Sequence, residues 1–140
     1  MDANLINKAA ERAARPGYAF KWGVDDCCTF ACDAIRDWKG VDLMAPLRGT
    51  YDSRETSRIA WGEEGFVACV QALARENGLE RVDFPFDGAD IGLVATAGGP
   101  VLALWLEGEN GTPGRWVGRS ENGVFVLLRG HGFLAWRLPE

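Results

Sequence analysis

The chain has 140 residues, 47% of them hydrophobic and 25% charged, and its 15 basic and 20 acidic side chains give a formal net charge of −5 at pH 7. One domain of this size buries roughly 68% of the surface of its unfolded chain, so disorder, a collagen-like fibre and a low-complexity polymer are excluded as its main state. The basic residues are scattered, with no Lys/Arg run, so neither nucleic acid nor an anionic membrane surface is an expected partner.

The amino terminus, Met1-Asp2-Ala3-Asn4, lacks the basic start and apolar core of a secretory signal, so synthesis in a cytoplasm is expected. No apolar run approaches the ~20 residues of a membrane span. From Asp2 to Arg15 the stripe Leu5, Ala9, Ala13 beside Ile6, Ala10, Ala14 predicts an amphipathic helix, stopped by Pro16-Gly17. Tyr18 to Gly23 is an aromatic lead-in to a second helix that starts at Asp25 or Asp26 and runs to Trp38, with Gly40 just beyond its end. Its apolar residues occupy most of its circumference, which predicts burial on most sides.

Val41 to Thr50 reads as a loop. Asp52 and Glu55 have the spacing of a cap and its return partner, ahead of a short helix from Ser53 to Trp61. A fourth helix is expected from Phe66 to Glu76, closed by Asn77-Gly78. After residue 80 the pattern changes to short β-rich runs, at Asp90–Thr96, Val101–Leu106, Arg115–Val117, Val124–Leu128 and Phe133–Leu138. Ala97-Gly98-Gly99-Pro100 and Glu121-Asn122-Gly123 are the expected hairpin turns. Helices first and antiparallel strands second make an α+β domain, with N-terminal helices packed on a C-terminal sheet.

Four cysteines stand at Cys27, Cys28, Cys32 and Cys69, with one histidine, His131, far along the chain. Two adjacent cysteines fit neither zinc-ligand spacing nor a disulfide framework, so free thiols are expected, with no metal and no cofactor. A cysteine in the first turn of a helix sits at the positive end of the helix dipole, which favours the nucleophilic thiolate. Packing as a small hydrophobe at a tight helix start is the commoner use of such a cysteine.

The block Phe20-Lys21-Trp22-Gly23 followed by Asp26-Cys27-Cys28-Thr29-Phe30-Ala31-Cys32-Asp33-Ala34 resembles the opening of a small phage- and prophage-associated family related to the NlpC/P60 cysteine peptidases. The resemblance continues through Gly40-Val41-Asp42, Arg48-Gly49-Thr50-Tyr51, Ala89-Asp90-Ile91-Gly92-Leu93-Val94 and Ala135-Trp136-Arg137. It implies one papain-like NlpC/P60-type domain over residues 1–140, with Cys27 at the nucleophile position. The general-base histidine of that family falls at or near Val101, and the one alternative base in this chain is His131. A valine neither takes nor gives a proton.

Three readings follow. A degenerate, non-catalytic domain would serve as a structural or assembly component of a phage tail tip, made in the bacterial cytoplasm and built into the virion with other tail proteins as partners. An active cysteine hydrolase would cut peptidoglycan stem peptides, with Cys27 as nucleophile and His131 as base. A small host-encoded domain would bind protein without a phage role. The absent base ranks the first reading ahead.

Overall fold

The computed structural model describes residues 1–140. Four helices precede a six-stranded antiparallel sheet: α1 (Ala3–Ala13), α2 (Cys27–Lys39), α3 (Arg54–Trp61), α4 (Gly65–Glu76), β1 (Glu80–Arg81), β2 (Ile91–Thr96), β3 (Gly99–Leu106), β4 (Arg115–Ser120), β5 (Gly123–Leu128) and β6 (Gly132–Arg137). The spatial order is β1-β6-β2-β3-β4-β5. The α+β class and helices-then-strands order expected from the sequence are therefore present. None of the helices is long and apolar enough to cross a membrane.

The caps explain the helix limits. Asp2 accepts from Asn4 N–H ahead of α1, and Asp26 caps α2 with Thr29 reaching back to the Asp26 N–H. Gly40 ends α2 in the left-handed conformation at φ 71°, which costs a residue without a Cβ little. The α3 cap differs from the expected Asp52–Glu55 pair. Ser53 accepts from Thr56 N–H, and the Thr56 hydroxyl returns to the Ser53 N–H. Threonine at that position completes the reciprocal bonds that glutamate normally makes.

The central strands are buried on both faces by period-two alternation, while β5 at the edge leaves Val124, Val126 and Leu128 exposed. Leu93, Leu102, Leu104, Val117 and Trp136 join the larger core against the helices, where α2 supplies Phe30, Ala31, Cys32, Ala34 and Ile35. Val94, Ala103, Trp105, Trp116 and Ala135 form a second cluster on the opposite face with Phe86 and Ala89. There Trp105 and Trp116 meet edge to face, with centroids 4.8 Å apart and Phe86 against both. Gly92 is required on this face: any Cβ would meet the Trp116 ring and the Leu134 carbonyl oxygen.

β2, β5 and β6 shift by one residue from their expected limits, and the larger differences lie elsewhere. β3 starts at Gly99, so the β2–β3 turn is Ala97-Gly98 alone, with Thr96 opposite Gly99. β4 runs on to Ser120, because Gly118 lies under the Phe125 ring and Arg119 is buried. Glu80–Arg81 adds a two-residue strand to β6, pairing with Arg137 and Trp136.

The loop after α2 is held by Arg48. Its Nε donates to both Asp42 oxygens at 3.0 and 2.8 Å, and its Nη2 lies 2.7 Å from Asp33 Oδ1 on α2 as an ion pair. Burial pushes the Asp33 carboxyl up. Burial acts upward on Asp42 too, but the bonds and charge of Arg48 outweigh it and hold that carboxyl down.

Candidate functional site

The start of α2 is organised by one carboxylate. Asp26 is 1% exposed and accepts four bonds. Oδ1 takes the N–H groups of Cys28 and Thr29, both at 2.9 Å, and Oδ2 takes Gly23 N–H at 2.8 Å and the Tyr51 hydroxyl at 2.6 Å. The helix end and the buried phenol thus supply what water would otherwise give this charge. Gly23, at φ 83°, sits in the turn closed by Lys21 and Asp25, and a Cβ there would collide with the Tyr51 carbonyl oxygen. Burial, then the negative groups around it, push the Tyr51 phenol well up, so the hydroxyl keeps its proton and donates.

This hub sets the thiols. Cys27 is the first residue of α2 and is half-buried, as expected for a cysteine in the first turn, while Cys28 is 2% exposed. Their sulfurs are 3.9 Å apart. The contact with Cys27, then burial, then nearby negative charge raise the Cys28 thiol well above its ordinary value. Burial raises Cys32 likewise. Cys28 and Cys32 are therefore protonated packing residues at neutral pH, and all four cysteines are free. Asp26, Cys27 and Cys28 place ligand-type atoms within 4.8 Å of one another. Both Asp26 oxygens, however, are spent on the four N–H and O–H donors, so the trio offers no open carboxylate to a metal.

Cys27 and Cys28 open onto a cleft of about 660 Å³. Its walls come from the lead-in (Phe20, Trp22), from α3 and the start of α4 (Arg54, Arg58, Trp61, Phe66), from the β2–β3 hairpin (Pro100, Val101) and from the end of β4 with its turn (Arg119, Glu121, Asn122). Val101 therefore shares the cleft with Cys27, and the cleft contains no histidine. His131 is exposed at the end of a short 3₁₀ turn, Arg129–His131, and borders a separate depression with Pro113, Gly114, Arg115 and Leu128. The structure thus brings Cys27 and Val101 to one site and leaves His131 outside it.

A groove of about 260 Å³ between α1 and α2 carries Lys8, Arg12, Asp33 and Asp37, with no thiol on its wall. Asp90, in the Ala89–Val94 stretch of the resemblance, is buried and accepts from Leu138 N–H at 2.8 Å, a structural role. Sequence reasoning missed Arg54, Arg58 and Arg119. Arg54 and Arg58 lie one turn apart on α3, but Arg119 is far along the chain, and only the fold brings it beside them.

Fold and site define a small α+β domain whose central helix presents a thiol to an arginine- and aromatic-lined cleft that holds no imidazole. Over residues 4–138 the chain matches the family described as a domain of unknown function, DUF6950, and it belongs to that family. No curated protein matches it. No solved structure matches it.

Proposed function

We propose that this chain is a non-catalytic NlpC/P60-type domain that acts by binding, as a structural or assembly component of a phage tail tip. The observation that carries the non-catalytic reading is the shared cleft of Cys27 and Val101 with no imidazole on its wall. A cysteine nucleophile needs a proton acceptor or an imidazolium within hydrogen-bond reach. The acidic group on the wall, Glu121, is exposed in the β4–β5 turn. The binding role is supported by the cleft itself, which combines aromatic walls with charged and amide side chains. The tail context is supported by the resemblance of the Phe20–Ala34 block to phage-associated sequences, and tail proteins are the partners it implies.

The test is incubation with purified peptidoglycan stem peptides, followed by mass spectrometry of both peptide and protein. The expected result is intact peptide and no acyl adduct on Cys27. Cleavage that disappears in Cys27→Ala would overturn the reading in favour of a hydrolase. For the assembly role, Cys27→Ala is expected to leave particle formation and infectivity of the parent phage unchanged, while deletion of the domain stops tail assembly. Normal tails without the domain would refute it.

A further inference from the structure

We propose that the Cys27 cleft is an anion site that takes a carboxylate carried on an apolar body. Arg54, Arg58 and Arg119 hold the carboxylate, and Trp22, Trp61 and Phe66 receive the body. The proposal rests on the reading of this cleft as a binding surface and specifies what it binds.

Three guanidinium groups line the cleft against one carboxylate, Glu121. That local excess of positive charge runs against a chain whose net charge is −5. None of the three arginines forms an ion pair within the protein. Arg119 makes the imbalance acute. It is only 5% exposed, its Nη2 donates to the Tyr18 carbonyl oxygen, and its buried Nε has no partner. A buried cation is tolerated when an opposite charge and full hydrogen bonding accompany it. Here no carboxylate pairs with it and one donor is unmet, although the Phe20 ring lies 5.9 Å from the guanidinium carbon; the residue borders both this cleft and the α1–α2 groove.

A second feature points the same way. No side chain caps the N-terminus of α4, a helix of 12 residues, and Gly65 and Phe66 from its first turn line the same cleft. The positive end of a helix dipole thereby adds to the three arginines. Part of the remaining wall is aromatic, with Trp22, Trp61 and Phe66 on it, and Trp61 packs between Tyr51 and Phe66 at 5.1 and 5.0 Å. At about 660 Å³ the cleft falls in the size range of small-ligand sites. The net positive charge of the wall attracts any anion, and the aromatic side chains beside it favour one carried on an apolar body. Planar carboxylates also match the guanidinium fork.

A carboxylate of this kind comes from a peptide chain end or from a free apolar acid, and the experiment separates the two. The full chain is titrated by calorimetry and by amide NMR with three probes: N-acetyl-leucyl-phenylalanine, its C-terminal amide, and 3-phenylpropionate. The free-acid dipeptide is expected to saturate a single site. Its binding should weaken as salt rises from about 50 mM to about 0.5 M. The amide is expected to bind at least about tenfold more weakly, the loss expected for a charge-assisted contact. Because Arg58 is exposed, Arg58→Gln should lower affinity for the acid several-fold while the melting temperature stays unchanged.

Equal affinity for 3-phenylpropionate assigns the site to free acids, and weaker binding assigns it to peptide ends; both support a carboxylate site. Equal affinity for acid and amide would overturn it, as would no binding of any probe up to about 10 mM. The dipeptide is recovered and weighed after titration. A cleaved probe would refute the non-catalytic function while leaving the preference for acid over amide to judge the anion site by itself.

Discussion

Removing the Tyr51 hydroxyl tests whether Asp26 organises the start of α2. Tyr51→Phe keeps the ring, which is 5% exposed and packed 5.1 Å from Trp61, and deletes the O–H that Asp26 accepts at 2.6 Å. Asp26 retains three N–H donors, so no acceptor is orphaned and little cavity opens. The loss is that of one hydrogen bond to a charged group, roughly 1.5–3 kcal/mol. Asp26→Ala goes further. It removes the α2 cap, worth about 1 kcal/mol, and leaves the Tyr51 hydroxyl and the Gly23 N–H buried without an acceptor, at about 1–3 kcal/mol each. Its total is about 3–7 kcal/mol, a large part of the stability of a domain this size. Urea denaturation followed by tryptophan fluorescence reads both. A Tyr51→Phe midpoint indistinguishable from wild type, or an Asp26→Ala loss no larger than that of Tyr51→Phe, would refute the hub.

Trp22→Ala should cost about 1–2 kcal/mol in the same assay, below the 3–5 kcal/mol scale of a fully buried tryptophan, because Trp22 is half-buried at the cleft wall; a loss above about 4 kcal/mol would show a core role. Cys27 alkylation should proceed at the same rate in wild type and His131→Ala between about pH 6 and pH 7.5, whereas Cys28 and Cys32 should react only on unfolding. A rate that falls in His131→Ala would tie the two residues together. Arg48→Gln should destabilise more at pH 7 than near pH 4. Asp42, held down by Arg48, stabilises above its unfolded pKa of about 3.9 and loses that as pH falls through its lowered value. Asp33, raised by burial, favours the fold while protonated and loses that advantage as pH climbs through its raised value. Without Arg48, Asp42 ionises at neutral pH with no cation paired to it and Asp33 keeps only Arg36, at 3.5 Å, so a loss that does not depend on pH would contradict the ion-pair account.

Helix α2 was legible at both ends because its limits are local chemistry: Asp26 carries the cap and Gly40 carries the left-handed exit. The hairpins were legible from Gly98 and from Asn122-Gly123, though each turn proved to be two residues. Strand β4 was cut short at Val117 because Gly118-Arg119 breaks the apolar alternation. A phenylalanine on the neighbouring strand fills the glycine position, and the arginine is buried by elements far away in the chain. Strand β1 is two residues long and carries no pattern to read. At the site, Cys27 was found from its helix-start position, and Val101 was found from the family comparison. The arginines could not be found, since Arg54 and Arg58 follow a helix pattern of exposed charge and Arg119 joins them only when β4 packs beside the lead-in.

The place of β6 in the sheet bears on how the domain is made. This last strand lies between β1 and β2, covering the edge of β2 that β3 does not. During vectorial synthesis β2 and β3 can close as a local hairpin, and β4 and β5 as another, but the remaining edge of β2 stays open until residues 132–137 have been translated. An open apolar edge invites pairing with other chains. A nascent polypeptide halted after β5 therefore presents Leu93 and Val94 along an unpaired strand, and a chaperone holding that edge would keep the incomplete domain from aggregating until its final strand arrives.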